Sequence, residues 1–159
     1  MYNLREALLD FECTTLSISG IQQPNIDCVE AMQSTDCMRV AIAEAMQRML
    51  LDIPQQFIVG IPTGGAMLAT LILARKAFHG HEFFSSVLSR NRLRGTVKRC
   101  EAAIIDDVAG SGVTILGAAK QLAKLGVTVR HAVVLVDRGI GAESTLALNG
   151  ITLHSFMRL

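Results

Sequence analysis

Apolar and polar positions along the chain alternate in two periods. After the capping pair Thr35-Asp36, apolar residues recur at helical spacing through Val40, Ala43, Met46, Met49 and Leu50. Pro54 closes that helix. Gln56 to Ile61 is a short apolar run suited to a strand, broken by Pro62-Thr63-Gly64-Gly65. Ala66 to Ala77 returns to helical character, and Phe83 to Leu88 reads as a second strand. Ala102 to Ile105 is unbroken apolar sequence, as a strand buried on both faces requires. A helix from about Val113 to Leu125 follows, stopped by Gly126. Val127 to Val136 predicts a fourth strand, Glu143 to Leu148 a short helix ended by Gly150, and Ile151 to Phe156 a last strand. Helices between apolar strands predict an α/β domain with a mainly parallel sheet covered on both faces. No repeat, linker or low-complexity segment interrupts the order.

Composition narrows the class. The chain has 159 residues, half of them hydrophobic, which suffices for one core and is short for two domains. Charged residues make up 18%, too few of one sign and too diluted for intrinsic disorder. Fifteen Lys and Arg against 14 Asp and Glu leave a net charge of +1, so no nucleic-acid coat is indicated. Aromatics are only 4% and Trp is absent, so base-stacking platforms are scarce. No apolar run has the length of a membrane helix, and the first residues lack a signal-peptide profile. A cytoplasmic protein is expected.

Cys13, Cys28, Cys37 and Cys100 are widely spaced, with no Cys-x-x-Cys pair. They read as free thiols, mostly buried, rather than zinc ligands. His79-x-His81 has no third ligand nearby, so no protein-held metal site is expected.

Three strand ends carry unusual residues: Pro62 to Gly65, Asp106 to Gly112, and Asp137-Arg138-Gly139. Ligands of open parallel sheets bind beyond such carboxyl ends. In the stretch Ala103 to Thr114 a hydrophobic strand runs into two carboxylates, and a small-residue loop then opens a helix. Backbone N–H groups from Ala109 through Gly110, Ser111, Gly112, Val113 and Thr114, with the two hydroxyls, suit a phosphate at the helix start. The acids Asp106 and Asp107 suit sugar hydroxyls. A sugar phosphate satisfies both. A nucleotide P-loop is excluded because no Gly-Lys-Ser/Thr is present, and the Rossmann pattern because acids precede the glycines.

This stretch resembles the phosphoribosyl-pyrophosphate signature of the type I phosphoribosyltransferases. Asp137-Arg138 and the ending Gly150-Ile151-Thr152-Leu153-His154-Ser155 resemble the orotate branch, and Leu16 to Gly20 with Pro24 to Asp27 is similar to its N-terminal segment. The resemblance implies a single domain over residues 1–159 with the family's parallel-sheet fold and a hood-like segment at 1–35. It implies transfer of a phosphoribosyl group from phosphoribosyl pyrophosphate to a nucleobase, with orotate favoured, giving a nucleoside 5′-monophosphate and pyrophosphate. Asp106 and Asp107 would hold the ribose hydroxyls, and Ala109 to Thr114 the 5′-phosphate. Thr63, Gly64 and Gly65 would form the pyrophosphate loop, and Arg138 would meet a carboxylate on the base as a two-bond fork. Mg2+ would be bound mainly through the substrate pyrophosphate, and the partner would be a second copy of the chain.

The basic residues depart from the family. Its mobile lysine loop is about eight residues longer than the segment from Val87 to Gly95, by loop-length reasoning. Ile18 stands where the family has lysine, and Gly110 and Val113 where it has hydroxyl residues. Arg90, Arg92 and Arg94, with Lys98 and Arg99, form a basic run with no acid. Three roles stay open for it: a pyrophosphate clamp with Arg90 and Arg92 as catalytic groups, a solvated face, or a polyanion site. The same departures leave a second function open, a binding homologue that senses the sugar phosphate or serves as a partner subunit without turnover.

Overall fold

A computed structural model of the chain describes residues 3–16, 22–54, 57–74, 84–89, 92–94 and 101–159. The elements are α1 (Leu4–Leu9), β1 (Glu12–Leu16), β2 (Gln22–Ile26), α2 (Cys28–Ser34), α3 (Asp36–Leu51), β3 (Phe57–Gly60), α4 (Gly64–Ala74), β4 (Phe84–Ser89), β5 (Arg92–Arg94), β6 (Glu101–Ala109), α5 (Val113–Lys124), β7 (Thr128–Asp137), α6 (Ala142–Ala147) and β8 (Thr152–Arg158).

Among the described residues the main sheet has the order β5-β4-β3-β6-β7-β8. Every pairing in it is parallel except β4 with β5. Residues alternate between its two faces, as the pleat demands. Ile58, Ala103, Ile105, Val133 and Leu135 pack on α1 to α4, while Val59, Ala102, Ile104, Ala132 and Val134 pack on α5 and α6. The parallel α/β architecture expected from the hydrophobic pattern is the one observed.

Local chemistry explains the helix starts. Thr35 Oγ1 accepts the Met38 N–H at 3.1 Å and caps α3, while Asp27 caps α2 by accepting the Glu30 N–H at 2.8 Å. Asp36 and Arg39 pair within the first turn of α3. Gln47 sits in the core and donates Nε2 to the Ile72 carbonyl at 2.9 Å, tying α3 to α4.

Several boundaries differ from the sequence reading. Helix α4 begins at Gly64, two residues before the predicted start. Strand β6 runs on through Asp106, Asp107 and Val108 to Ala109, because its ladder with β7 continues to Ala109 and Asp137. The acidic pair thus lies in the sheet, and the loop proper is only Gly110 to Gly112. The N-terminal segment holds α1, α2 and an antiparallel β1–β2 hairpin, in register Cys13 with Asn25 and Thr15 with Gln23. Cys28 is buried and Cys13 half-buried, whereas Cys37 is exposed, contrary to the expectation of mostly buried thiols. His79, His81 and Cys100 lie outside the described residues.

Candidate functional site

The carboxyl ends of β3, β6 and β7 converge, and the three unusual segments meet there. Strand β6 carries Asp106 and Asp107. Asp106 is 7% exposed, and its Oδ1 accepts the Asp107 N–H at 3.1 Å. The segment after β3 lies directly on this pair. A Cβ on Gly64 would fall 2.1 Å from the Asp107 carboxyl, and one on Gly65 2.2 Å from the Ile105 carbonyl oxygen. Only glycine permits so close a backbone approach. The Ile61 N–H donates to the Ile105 carbonyl at 3.0 Å and fixes that approach.

Thr63 is exposed at the mouth, whereas Gly64 and Gly65 are buried. Of the three residues expected to form a pyrophosphate loop, the two glycines thus lie beneath the surface. The Gly65 backbone bonds to Asp106, and the Ala66 N–H is used by the Ile61 carbonyl at 3.0 Å. The glycines bring the turn against the acids, and Pro62 and Thr63 are left facing out.

The acids are held without a counter-ion from any described lysine or arginine. Burial, and next the neighbouring Asp107 charge, push the Asp106 carboxyl up to about 8. Cys28, at the start of α2, lies under the pair with its Sγ 4.0 Å from the Asp107 carbonyl oxygen. Burial, and then the charge of Asp107, push this thiol up, so it stays protonated and unreactive.

Beyond the acids, Ala109 is buried as the last residue of β6, Gly110 is half-buried and Ser111 exposed. Gly112 takes φ +79° and immediately precedes α5, with a Cβ position only 3.1 Å from the Ala142 carbonyl oxygen. No side chain caps this helix. Its first-turn N–H groups, with the exposed Val113 and Thr114, therefore offer an anion a place at the positive end of the helix.

Asp137, 3% exposed, shapes the third segment. Its Oδ1 accepts the Gly139 N–H at 3.0 Å, and Oδ2 stands 3.7 Å from Arg158 Nε. The turn presents Arg138, whose backbone N–H donates to the Ala109 carbonyl at 2.9 Å. The Arg138 guanidinium reaches the N-terminal hairpin: Nε donates to the Pro24 carbonyl at 3.1 Å and Nη2 to Gln23 Oε1 at 2.9 Å. Sequence reasoning gave Gln23 no role. Its only signal was the polar run Gln22 to Asn25 beside a proline, and a contact 115 positions away is invisible in such a run.

Arg90 lies outside the described residues, as do Lys98, Arg99 and the side chain of Arg92. Arg94 is exposed in β5. Among the described residues no group of three or more His, Cys, Asp or Glu could hold a metal ion.

This chain is similar to known proteins in sequence and in fold. It is 37% identical over 107 residues to an orotate phosphoribosyltransferase of Cenarchaeum symbiosum, covering 61% of this chain and 50% of that one. It superposes on the crystal structure of orotate phosphoribosyltransferase from Aeropyrum pernix with TM-score 0.82 and 24% identity, over 98% of this chain and 94% of that one. An orotate phosphoribosyltransferase of Mycobacterium tuberculosis, crystallised with 5-phospho-α-D-ribosyl 1-diphosphate, matches with TM-score 0.82 and 21% identity over 98% of this chain and 94% of that one. The chain spans about half the length of the first two curated relatives it matches. No protein-family model matches it.

Proposed function

We propose that this chain, a relative of the orotate phosphoribosyltransferases in sequence with the type I phosphoribosyltransferase fold, transfers a phosphoribosyl group from phosphoribosyl pyrophosphate to orotate. The observation that carries the reading is the pair of buried Asp106 and half-buried Asp107, packed under Gly64 and Gly65 and followed by the uncapped start of α5. Two acids beside an anion cradle suit a ligand that offers hydroxyls at one end and phosphate at the other.

In this reading the ribose hydroxyls donate to Asp106 and Asp107. The 5′-phosphate takes the N–H groups between Gly110 and Thr114. Thr63 faces the pyrophosphate. Arg138, anchored on the hairpin, faces the acceptor base. The base nitrogen forms a bond to the sugar C1 as the C1–pyrophosphate bond breaks, and negative charge gathers on the leaving group. Catalysis is then mostly positioning and charge stabilisation, with little acid–base chemistry asked of the protein. Mg2+ bound with the substrate supplies charge neutralisation of the departing pyrophosphate. Arg90 and Arg92 are the candidates for the same task from the protein side.

The enzyme is proposed to act as a homodimer in the cytoplasm. Helix α4 has no charged residue in its eleven positions and exposes Leu73, which suits contact with a second copy. No described helix is long and apolar enough to cross a membrane.

The test is a titration of phosphoribosyl pyrophosphate with Mg2+, then orotate, with pyrophosphate release as the readout. Release that needs both substrates and stops on chelation supports the transferase. Tight binding without release supports the second reading, a binding homologue, which the isoleucine at position 18 favours. No binding refutes both.

A further inference from the structure

Two histidines meet far from the acids. His131 precedes Asp137 by six residues on β7, which at strand spacing places it about 20 Å from the carboxyl end of the sheet. The register pairs His131 with Thr152 and Val133 with His154, so the two rings are diagonal neighbours on adjacent strands. They share the face on which Val133, Leu135 and Phe156 pack toward the helices, and both are half-buried. His131 Nδ1 and His154 Nε2 stand 3.0 Å apart. The ring centroids are 5.2 Å apart and the planes tilted by 37°, so the rings meet nitrogen to nitrogen and are not stacked.

A neutral imidazole carries one N–H and one lone-pair nitrogen. The two facing nitrogens therefore hold one proton between them. Moving that proton to the outward nitrogen of the same ring leaves two lone pairs facing each other, and no proton is lost. Two imidazole nitrogens on neighbouring positions of one ion, each at about 2.0–2.1 Å, stand about 2.8–3.4 Å apart. The observed separation already lies in that range, and rotation of both rings about their Cβ–Cγ bonds turns the lone pairs onto one ion. Asp52, the C-cap of α3, is the acid whose charge acts on His154, in the direction that favours a cation.

We propose that His131 Nδ1 and His154 Nε2 form a two-imidazole site for a late first-row divalent ion such as Ni2+, Cu2+ or Zn2+. Among the described residues no third His, Cys, Asp or Glu joins them, so water fills the remaining positions. Imidazole suits these ions, whereas Mg2+ takes oxygen ligands. The site is thus separate, in place and in chemistry, from any Mg2+ carried by a pyrophosphate, and it does not depend on the transferase reading. The ion would tie β7 to the edge strand β8. The unfolded chain does not hold the two rings together, so binding stabilises the fold.

The chain has four histidines, and His79→Gln with His81→Gln leaves only this pair of imidazoles. Ni2+, which leaves the thiols reduced, is the probe. Calorimetric titration of that doubly substituted chain at about pH 8, where histidine is neutral, is expected to give one Ni2+ per chain, undiminished by excess Mg2+. Adding His131→Gln or His154→Gln weakens binding at least about tenfold. Ni2+ raises the urea midpoint of the parent and leaves the midpoints of both further variants where they were; their cooperative unfolding shows that they are folded. The proposal is overturned if no Ni2+ binds, if either further variant binds it as tightly as the parent, or if Mg2+ displaces it.

Discussion

Asp106→Asn tests whether the acidic pair is held at the expense of stability. The substitution is nearly isosteric, and the Asn Oδ1 still accepts the Asp107 N–H. What changes is the charge. Burial and Asp107 raise the Asp106 carboxyl from 3.8 to about 8. Between those values the native state holds a proton that the unfolded chain has released, so wild-type stability falls as pH rises through that window. The slope for one such proton is about 1.4 kcal/mol per pH unit. From about pH 5 to about pH 7 the group therefore removes about 3 kcal/mol from wild type and nothing from the variant. Urea unfolding of both proteins at the two pH values isolates this difference, since every other titrating group is shared. The expected result is that the variant's advantage over wild type grows by about 3 kcal/mol from the lower to the higher pH, while its affinity for the sugar phosphate is lost. A stability difference that stays constant with pH would refute the reasoning, because Asp106 would then titrate alike in the folded and unfolded chain.

Gly64→Ala places a methyl group 2.1 Å from the Asp107 carboxyl. It should destabilise the fold by about 1–3 kcal/mol and turn Asp107 out of the site, seen as a lowered unfolding midpoint and loss of at least about tenfold in phosphoribosyl pyrophosphate affinity. A variant that binds normally would mean that Asp107 is free to move without consequence. At the other end of the sheet, His131 Nδ1 and His154 Nε2 are 3.0 Å apart. Burial and then His131 hold His154 below its ordinary value of 6.5. The unfolded chain takes up that proton first, so stability should drop as pH falls below about 6.5, and His154→Gln, which keeps a polar partner for His131, should flatten the fall in the melting temperature. Equal acid sensitivity in both proteins would show that the pair does not titrate on unfolding.

The strands that build the sheet were legible because they are apolar on both faces. Residues 102–105 and 132–136 have no polar interruption, and only a doubly covered parallel strand uses such sequence. Helix α3 was legible from Thr35 and the apolar spacing that follows. The hairpin was not, since Gln22 to Asn25 is polar, contains a proline and lacks a tight-turn signal. Helix α1 is too short for periodicity to rise above chance; Leu4 and Leu8 are its two buried residues. The extent of β6 was missed for a different reason. Adjacent aspartates have poor strand propensity, yet pairing with β7 overrides it through Ala109. Of the site, the acids, the glycine turn and the loop before α5 could be read because each is a local break in an apolar pattern. The Gln23–Arg138 contact could not, because it joins two ends of the chain that share no local pattern.

These two kinds of legibility reflect a division within the site. The glycine turn, the acids and the loop before α5 are each assembled from consecutive residues at strand ends, where backbone geometry sets how closely they pack. Gly64, Gly65 and Gly112 act there by lacking a side chain, and Asp106 and Asp107 by standing side by side, the first buried and the second half-buried. The contact between β2 and the turn after β7 is made through the Arg138 side chain, and its partners meet only once the chain has folded. The cradle tolerates little substitution, because an added methyl at position 64 or 65 meets a carboxylate or a carbonyl at once. The hairpin is constrained both at its backbone, where the Pro24 carbonyl anchors Arg138, and at Gln23, whose Oε1 accepts from the same guanidinium. In the proposed transferase, commitment to a phosphorylated ribose is thus expected to reside in the glycine turn and the acids of the sheet, where no side chain can be added without displacing them.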